Sequence, residues 1–307
     1  MLFRDYDEIV QEAKKFAPVT VAVAGADDSA VMEALKRAEL EGLAKPILIG
    51  VKSEILRIAE ELDYKICHDS VIDASSPDEC AYEAVRAAAE ERAGIVMKGR
   101  IQTSVLMKAV FNKEKGLRTG RIISHVFFIK LPGYKFVGLT DGGINIAPEL
   151  PEQAAIIQNA ADFCHLMGLA MPKVAVLAPV ETVSEKIPST LYGAVLSKMA
   201  DRGQIKGALV DGPLAFDSAL LPESVKEKGI VSDVAGDADI LFVSDIDMGN
   251  GLFKGLVHFG KGIPAAVILG AKTPIIVTSR ADSSECKFYS IALNVLYAGK
   301  LKKAGEI

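Results

Sequence analysis

Short apolar runs alternate with longer stretches of helical periodicity along most of this chain of 307 residues. In the first third, residues 19–24 and 94–98 are apolar runs that predict buried strands, whereas residues 29–42 and 104–111 have the spacing of amphipathic helices. Strands that alternate with helices are typical of a parallel sheet with helices on its faces. The sequence therefore predicts an α/β fold. Another strand is predicted at residues 46–50, and further helices at residues 52–62 and 81–92.

Two β-rich runs in the middle of the chain interrupt this alternation. Residues 122–130 and 135–139 are separated by a segment with Pro132 and Gly133, which favours a tight turn between antiparallel strands. Pro148 and Pro151 follow and indicate a domain boundary. We therefore predict two α/β domains with parallel or mixed sheets. Domain I is residues 1–146 plus 271–307, and domain II is residues 147–270.

The alternating pattern resumes in the second half of the chain. Helices are predicted at residues 152–167, 189–201, 250–259 and 283–298, and strands at 173–178, 207–211, 239–244, 265–269 and 275–277. Residues 213–237 are predicted as a loop, which is long for a connection in an α/β protein. Loops of that length in α/β proteins often carry function.

Composition and charge narrow the class of protein. Half of the residues are hydrophobic, Trp is absent and the formal net charge is −5. A net negative charge gives no electrostatic reason to expect nucleic acid or an anionic membrane as a partner. The N-terminus is charged early, and no run of about 18 apolar residues occurs, so we expect neither a signal peptide nor a membrane span.

Cysteine and histidine usage points to a protein without disulfides or zinc. The four cysteines form no C-x-x-C pair, and the four histidines are equally scattered. Scattered thiols are typical of a reducing cytoplasm, and no set of residues has the spacing of a zinc site. The sequence therefore predicts a cytoplasmic protein with no bound metal.

The segment from Pro274 to Lys287 is the most informative part of the chain. A short buried strand is followed by Ser279 and Arg280, and then by the predicted start of a helix. The first N–H groups of a helix and a neighbouring guanidinium together favour a phosphate-sized anion. We therefore expect an anion site at the Ser279–Arg280 turn.

Other junctions between strands and helices carry polar residues as well. Lys98, Arg100 and Thr103 follow one strand; Asn250, an expected helix N-cap, and Lys254 follow another. The alternative interpretation is that the residues of the first junction are solvated surface charges and that Asn250 is only a helix cap. Asp211 ends a strand and, with Asp217, predicts either a metal or acid/base pair or two local caps. The pair Asp245 and Asp247 is a second candidate of the same kind.

Ser124 and His125 lie within a predicted apolar strand. A hydroxyl in such a position usually finds a local hydrogen-bond partner. A histidine there is more often packed in the core or at its rim than catalytic. Both residues are therefore weaker candidates for a binding site.

Taken together and in this order, these segments resemble the phosphate acetyltransferase/butyryltransferase family, and more closely its phosphate butyryltransferase branch. The resemblance covers nearly the whole chain. No single motif is specific for the family, but the whole set of motifs at these spacings is specific for it. The matching segments are residues 97–103, 116–120, 124–126, 140–145, 187–190, 198–205, 210–217, 249–250, 270–275 and 279–280.

The resemblance implies reversible acyl transfer, acyl-CoA + phosphate ⇌ acyl phosphate + CoA, with acyl-CoA, inorganic phosphate and acyl phosphate as partners. It implies two α/β domains with a cleft between them, a fold shared with isocitrate and isopropylmalate dehydrogenases. It also implies a homodimer or larger oligomer and no organic cofactor, since coenzyme A is a substrate. The acyl group expected from the branch is butyryl or branched.

Family roles carry over to individual positions of this chain. The resemblance assigns phosphate binding or charge stabilisation to Arg280, and hydrogen bonding to the reacting groups to Ser279. The remaining candidates for phosphate, CoA or acyl binding are Lys98, Arg100, Thr103, Ser124, His125, Asp141, Asn145, Asp211, Asn250 and Lys254.

One family feature is missing. In the acetyltransferase branch, an aspartate seven residues after the serine is proposed to deprotonate the CoA thiol, and here that position is Cys286. Asp282 and Glu285 are possible replacement bases, although together they also fit a helix cap. A thiol with a pKa of about 8.5 is roughly 3% ionised at pH 7, so complete ionisation would gain about 30-fold. Loss of one oxyanion donor costs on the order of 10²–10³, so we expect charge stabilisation to be the larger effect.

Several alternatives stay open at this point. The substrate could be acetyl-CoA, or the reaction could pass through an acyl group on Cys286. A metal- and NAD-dependent decarboxylating dehydrogenase on the same fold would need an aspartate cluster and a nicotinamide site. A non-catalytic sensor of CoA or acyl phosphate is the remaining class.

Overall fold

The computed structural model describes residues 3–306. The chain forms two compact units, which we call the central unit (Met1–Asp5 and Ile122–Pro264) and the terminal unit (Tyr6–Arg121 and Ala265–Ile307). Each unit contains both strands and helices, as the alternating pattern predicts. No helix in residues 3–306 is long and apolar enough to cross a membrane.

The terminal unit is built on a mainly parallel sheet. Its strands lie in the order β3-β2-β1-β4-β11-β10, in which neighbours run parallel except for the antiparallel pair β10 and β11. The strands are β1 Val19–Ala24, β2 Ala44–Gly50, β3 Val71–Asp73, β4 Ile95–Lys98, β10 Ile263–Leu269 and β11 Ile275–Ile276. The helices are α1 Tyr6–Ala13, α2 Ser29–Leu40, α3 Lys52–Glu61, α4 Pro77–Ala89, α5 Thr103–Val110 and α11 Ser284–Ala304.

The pairing of β4 with β11 determines which candidate residues lie close together. β4 pairs in parallel with β11, with Val96 opposite Ile275 and Met97 opposite Ile276. Parallel strands end at the same edge of a sheet, and ligands of α/β proteins bind at that edge. This pairing therefore brings the residues after β4 close to the residues after β11.

Helix α11 is buried on nearly all sides, unlike an amphipathic surface helix. Its residues from Lys287 to Ala298 are all buried, with Phe288 and Leu293 fully so. The side-chain Nδ2 of Asn294 donates within the unit to the carbonyl oxygens of Ala266 and Ser290, at 2.8 Å each. A helix that is buried all round belongs to the core of its unit, so its first turns are rigidly placed.

The central unit has a mixed sheet in the order β5-β6-β9-β7-β8, with β5 and β6 antiparallel and the other neighbours parallel. The strands are β5 Ser124–Lys130, β6 Phe136–Thr140, β7 Lys173–Leu177, β8 Leu209–Leu214 and β9 Ile240–Phe242. The helices are α6 Leu150–Leu166, α7 Pro188–Asp201, α8 Phe216–Leu220, α9 Pro222–Lys228 and α10 Ile246–Lys254. The hairpin predicted from the Pro132–Gly133 turn is present as β5 and β6.

The division into units differs from the predicted domain boundary near Pro148. The hairpin belongs to the central unit, because Gly138 in β6 pairs with Ile240 in β9. The chain therefore passes between units at Arg121 and Ile122, and again at Pro264 and Ala265. Strand pairing between segments that are distant in the chain determines this boundary. The positions of prolines in the sequence carry no information about such pairing.

Two further expectations need correction. The segment predicted as a long loop at residues 213–237 contains helices α8 and α9. Both are shorter than a typical globular helix, so their period is weak in the sequence. The helix predicted at residues 250–259 instead runs as α10 from Ile246 to Lys254 and continues as a π-helical turn, Gly255–Phe259.

Candidate functional site

The Ser279–Arg280 turn is held by hydrogen bonds among its own residues. The Ser279 N–H donates to Asp282 Oδ2 at 2.7 Å, and the Asp282 N–H donates to the Ser279 carbonyl oxygen at 3.2 Å. The Ala281 N–H donates to Ser279 Oγ at 3.3 Å. The side chains of Ser279 and Arg280 remain exposed at this tight turn. It is therefore preorganised to present a hydroxyl and a guanidinium.

Helix α11 begins at Ser284, shortly after this turn, and Ser283 is its N-cap. Ser283 Oγ accepts from the Cys286 N–H at 3.2 Å. The predicted cap of Asp282 with a back-reaching Glu285 is therefore wrong, because Asp282 is engaged with the Ser279 N–H and Glu285 accepts from the Tyr289 hydroxyl at 3.4 Å.

Lys287 holds the turn from its buried side through hydrogen bonds to the backbone. This role was not predicted from the sequence. The residue is only 2% exposed, and its Nζ donates to the carbonyl oxygens of Ser279 at 3.2 Å and Asp282 at 2.5 Å. A cation near the start of a helix opposes the helix dipole. That unfavourable position is the signal in the sequence that could have identified Lys287.

Lys98 lies at the end of β4 and is 5% exposed. Its Nζ donates to the carbonyl oxygens of Gly99 at 3.2 Å and Ile101 at 3.3 Å. Burial, followed by the positive charges of Arg280 and Lys287, lowers the pKa of Lys98 from 10.5 to about 8. Lys98 is thus a buried cation under electrostatic strain, which a bound anion would relieve.

A cavity of about 360 Å³ lies at this edge of the terminal unit. Helix α5 begins beside it at Thr103 and has no side-chain cap, so the N–H groups of its first turn add a partial positive charge. The cavity combines donors and positive charge, which is the chemistry of an anion site. It is lined by Lys98, Ile101, Gln102, Thr103, Thr278, Ser279 and Arg280.

Arg100 does not join this group. Its side chain is 66% exposed, and NH1 lies 3.9 Å from Asp27 Oδ2. Arg100 is not among the residues that line the cavity. For this residue, the alternative interpretation of a solvated surface charge describes the structure.

Asp141 organises a loop in the central unit. Its Oδ1 accepts from the N–H groups of Gly143 at 2.9 Å and Ile144 at 3.0 Å. Its Oδ2 accepts from Asn145 Nδ2 at 2.6 Å and from the His125 N–H at 3.2 Å. Burial raises the pKa of Asp141, and these donors oppose the shift. Asp141 and Asn145 are therefore brought together, in an arrangement that shapes the loop after β6.

His125 and Ser124 are packed within the same unit. His125 is 2% exposed, its ring centroid lies 4.0 Å from that of Phe127, and neither ring nitrogen has a hydrogen-bond partner within residues 3–306. Burial lowers the pKa of His125 to about 3, so the ring is neutral at physiological pH. Ser124 Oγ accepts from Asn159 Nδ2 at 3.0 Å, which is the local satisfaction expected of a strand hydroxyl.

The predicted contribution of Asn250 as a helix N-cap is wrong. Asp245 caps α10, since its Oδ1 accepts from the Met248 N–H at 2.9 Å. Asn250 lies in the middle of the helix and Lys254 is its last residue, and both are exposed. The glycines on either side of Asn250 disguise the helical period here, because glycine disfavours helix interiors.

The aspartates considered as a metal or acid/base pair have separate partners. Asp211 accepts from the Gly212 N–H at 2.8 Å and, through Oδ2, from the Ser232 hydroxyl. Asp217 forms an ion pair with Lys228 at 2.9 Å. Within residues 3–306, no group of three or more His, Cys, Asp or Glu side chains could hold a metal ion.

Cys286, which stands at the position of the expected base, is a poor source of thiolate. Burial raises its pKa, and its Sγ lies 3.3 Å from Ser283 Oγ. Reactive cysteines have a lowered pKa. The structure therefore gives no support to a covalent acyl group on Cys286.

Comparison with known proteins identifies the family of this chain. Residues 75–295 match the family model described as "Phosphate acetyl/butaryl transferase". The chain is 39% identical to a phosphate butyryltransferase of Clostridium beijerinckii, over 97% of this chain and 99% of that protein. It is 43% identical to a phosphate acetyltransferase of Thermotoga maritima, over 91% of this chain and 95% of that protein.

Solved structures give the same result. A branched-chain phosphotransacylase from Enterococcus faecalis is 33% identical and superimposes with a TM-score of 0.81, covering 92% of this chain and 99% of that one. A 4-hydroxythreonine-4-phosphate dehydrogenase from Klebsiella pneumoniae, 16% identical with a TM-score of 0.54 over 91% of this chain and 99% of that one, shares the fold alone. The predicted dehydrogenase-like α/β fold and the predicted family are thus confirmed, and the chain belongs to the phosphate acetyl/butyryl transferase family.

Proposed function

We propose that this enzyme transfers a butyryl or branched short-chain acyl group between coenzyme A and inorganic phosphate, and that the phosphoryl group binds in the cavity at Ser279 and Arg280. The observation that carries the proposal is the convergence of Lys98 and Arg280 on one cavity that also has the uncapped start of α5. Family membership supports the exchange of acyl-CoA and phosphate. The electrostatics of the cavity support the position of the phosphate.

The chemistry is direct attack in a ternary complex. Written from acyl phosphate, the CoA sulfur attacks the acyl carbon and a tetrahedral oxyanion forms. The bond between the acyl carbon and the phosphate oxygen then breaks, and phosphate leaves with the electron pair while the acyl group stays on sulfur. The thiol proton passes to the released phosphate or to solvent. In the opposite direction, a phosphate oxygen attacks the thioester and the CoA thiolate leaves.

The roles of individual residues follow from their positions. Arg280, with Lys98, neutralises the charge that develops on the phosphate leaving group. Ser279 uses its oxygen to accept from the Ala281 N–H, so its hydroxyl hydrogen can donate to the oxyanion or to a phosphate oxygen. Thr103, at the start of α5, also lines the cavity, and the first N–H groups of that helix add donors. Central-unit residues such as Asp141 and His125 are assigned no direct contact with the reacting atoms.

Thiol ionisation needs no dedicated base under this proposal. A thiol in water is roughly 3% ionised at pH 7, and nearby cations lower its pKa further. The charges of Arg280 and Lys98 act in that direction. Asp282 is the acidic side chain nearest in sequence to the turn, and its Oδ2 already accepts from the Ser279 N–H.

Acetyl-CoA is the second candidate substrate, because the chain is 43% identical to a phosphate acetyltransferase as well. An acyl pocket distinguishes one methylene by only about 1–3 kcal/mol. A substrate series of acetyl-, butyryl-, isobutyryl- and isovaleryl-CoA therefore decides between these candidates, with butyryl or a branched group expected to give the highest kcat/KM.

We also propose a homo-oligomer that acts in the cytoplasm without an organic cofactor. Exposed apolar side chains on α7, Leu191 at 39% and Val195 at 41%, support a covered face. The cysteine thiols of residues 3–306 are all free, which is typical of a reducing compartment. Sedimentation velocity tests the proposed homo-oligomer. A single monomeric species would contradict it.

Arg280→Ala tests the assignment of the site. Phosphate-dependent thiol release from butyryl-CoA is expected to fall by roughly 10²–10³, since an oxyanion-stabilising group is lost. Arg92→Ala is the matched control, because Arg92 is an exposed arginine of the same unit whose partner is Glu90, 2.8 Å away. Turnover of Arg280→Ala close to that of Arg92→Ala would refute the assignment.

A further inference from the structure

Thr278, the residue before the turn, has a buried hydroxyl without a partner. Its side chain is 4% exposed, and Oγ1 makes no hydrogen bond to any of residues 3–306. Roughly nine in ten or more of the buried polar groups in proteins are paired, so each exception needs a reason. Thr278 also lines the same cavity as Lys98 and Arg280. The residue that carries the unpaired hydroxyl therefore lies in the wall of this cavity, where a ligand could satisfy it.

A purely structural explanation of Thr278 is unfavourable. Valine has nearly the same shape and carries no hydroxyl that must be stripped of water. At a buried position without a partner, valine would give a more stable protein. The hydroxyl is thus an energetic cost in the protein without ligand, which is typical of residues placed for function.

Lys98 has unused donor capacity beside the same cavity. An ammonium group has three N–H donors, and within residues 3–306 Lys98 Nζ has two acceptors, the carbonyl oxygens of Gly99 and Ile101 at 3.2 and 3.3 Å. Both bonds are longer than is usual for a charged donor. A tetrahedral anion has enough oxygens to accept from Lys98, Arg280 and a hydroxyl at once.

We propose that Thr278 is a further substrate ligand, whose hydroxyl donates to an oxygen of the phosphoryl group that Lys98 and Arg280 also bind. This inference rests on the proposed function, because it uses the same cavity. It extends that proposal by assigning a residue outside the Ser279–Arg280 pair and by placing the chain that leaves β11 in direct contact with phosphate. Arg280 supplies charge, and Thr278 supplies a neutral, fixed donor that favours one orientation of the anion.

The test uses the full-length protein and two variants of one position. Thr278→Val removes the hydroxyl and keeps the shape, whereas Thr278→Ser keeps the hydroxyl. Inorganic phosphate is titrated by calorimetry, and KM for phosphate and for butyryl-CoA are measured separately. We expect Thr278→Val to bind phosphate about 10- to 100-fold more weakly, as for a lost hydrogen bond to a charged group. We expect its KM for butyryl-CoA to change little and Thr278→Ser to stay close to wild type.

Thermal melting separates a ligand role from a structural one. If Thr278 is a ligand, the phosphate-free Thr278→Val protein melts at the same temperature as wild type or higher, and phosphate raises its melting temperature less. A lower melting temperature without phosphate, together with an unchanged phosphate affinity, would overturn the inference.

Parallel titration of Arg280→Ala distinguishes this inference from the proposed function. If Arg280→Ala loses phosphate binding and Thr278→Val keeps it, the role of Thr278 is wrong and the site assignment stands. If both variants bind phosphate as wild type does, the phosphate lies elsewhere and both proposals fail.

Discussion

Lys287 Nζ lies 3.2 Å from the carbonyl oxygen of Ser279, and this contact joins the buried part of α11 to the exposed turn of the candidate site. The same ammonium reaches the Asp282 carbonyl oxygen at 2.5 Å. The lysine contacts the backbone of the turn and is not among the residues lining the cavity. Lys287 is therefore a positioning residue, whose charge also acts on Lys98.

Replacement of Lys287 is expected to reduce turnover through the geometry of the turn. Lys287→Met leaves the Ser279 and Asp282 carbonyl oxygens without this donor, at a cost of about 1–3 kcal/mol in unfolding free energy. We expect kcat to fall by about 10- to 100-fold, as for a displaced catalytic group. Lys302→Met, an exposed lysine near the other end of α11, is the control and should behave as wild type.

The pH profile of Lys287→Met checks that the effect reaches the cavity. Loss of the Lys287 charge removes one cause of the lowered Lys98 pKa, so the alkaline limb of phosphate binding should move to higher pH. If Lys287→Met loses stability but its alkaline limb stays at the same pH as in wild type, Lys287 has a structural role only.

Phosphate affinity is expected to depend on the protonation of Lys98. The pKa of Lys98 is lowered to about 8, so the ammonium is present below this pH and is lost as the pH rises through it. Affinity for inorganic phosphate should accordingly fall as pH rises through about 8. Lys98→Arg keeps its charge in this range, so its affinity should stay level there. A parallel fall in wild type and Lys98→Arg would contradict the assignment of Lys98.

Protein stability should change with pH in the opposite sense. Between about 8 and 10.5, Lys98 binds a proton in the unfolded chain and not in the folded one, so the native state gains stability as pH rises. The charges that act on Lys98 are Arg280 and Lys287, opposed by Asp28 and Asp282. We expect Lys98→Met to be more stable than wild type at pH 7 in urea unfolding. The difference in unfolding free energy between Lys98→Met and wild type should shrink above pH 8. A difference that stays constant with pH would contradict the lowered pKa of Lys98.

Cys286 is expected to be dispensable for the reaction. Its pKa is raised by burial, and a thiol in that state is a weak nucleophile. Cys286→Ser should keep turnover within about threefold of wild type, because a raised-pKa thiol contributes little thiolate. Rapid mixing with butyryl-CoA should show no burst of CoA release in either protein. A burst in wild type that disappears in Cys286→Ser would establish a covalent route instead.

Gly99 is expected to be essential for the shape of the turn after β4. A Cβ at Gly99 would lie 1.9 Å from the Gly25 carbonyl oxygen, a backbone atom. The Gly99 and Arg100 N–H groups hold the end of β1 through Ala24 and Gly25, at 2.8 and 2.7 Å. Gly99→Ala should therefore destabilise by about 1–3 kcal/mol or more.

Gly251→Ala is the matched control for this substitution. Gly251 lies in α10, and apart from its chain neighbours and the nearby backbone of that helix, no atom of the described residues lies within 4 Å of the position of its Cβ. Alanine is favoured over glycine in helices, so this variant should gain up to about 1 kcal/mol. Equal urea midpoints for the two variants would show that the turn after β4 can adjust.

Most of the strands and helices, the hairpin, and the Ser279–Arg280 turn followed from the sequence alone. Apolar periodicity reports which face of an element is buried, and glycine and proline report where it ends. Asn250 was misplaced because two glycines hid the period of α10, and α8 and α9 were missed because they are short. The resemblance to the family rested on the same local segments, and the comparisons confirmed it.

Only the tertiary structure decided which of these residues share a site. The parallel register of β4 on β11 brings Lys98 to Arg280, although 182 positions separate them in the chain, from residue 98 to residue 280. The donor from Lys287 and the unpaired hydroxyl of Thr278 likewise depend on burial by distant segments. A single sequence records local preferences, whereas burial and unsatisfied hydrogen bonds are properties of the packed chain, and they define this site.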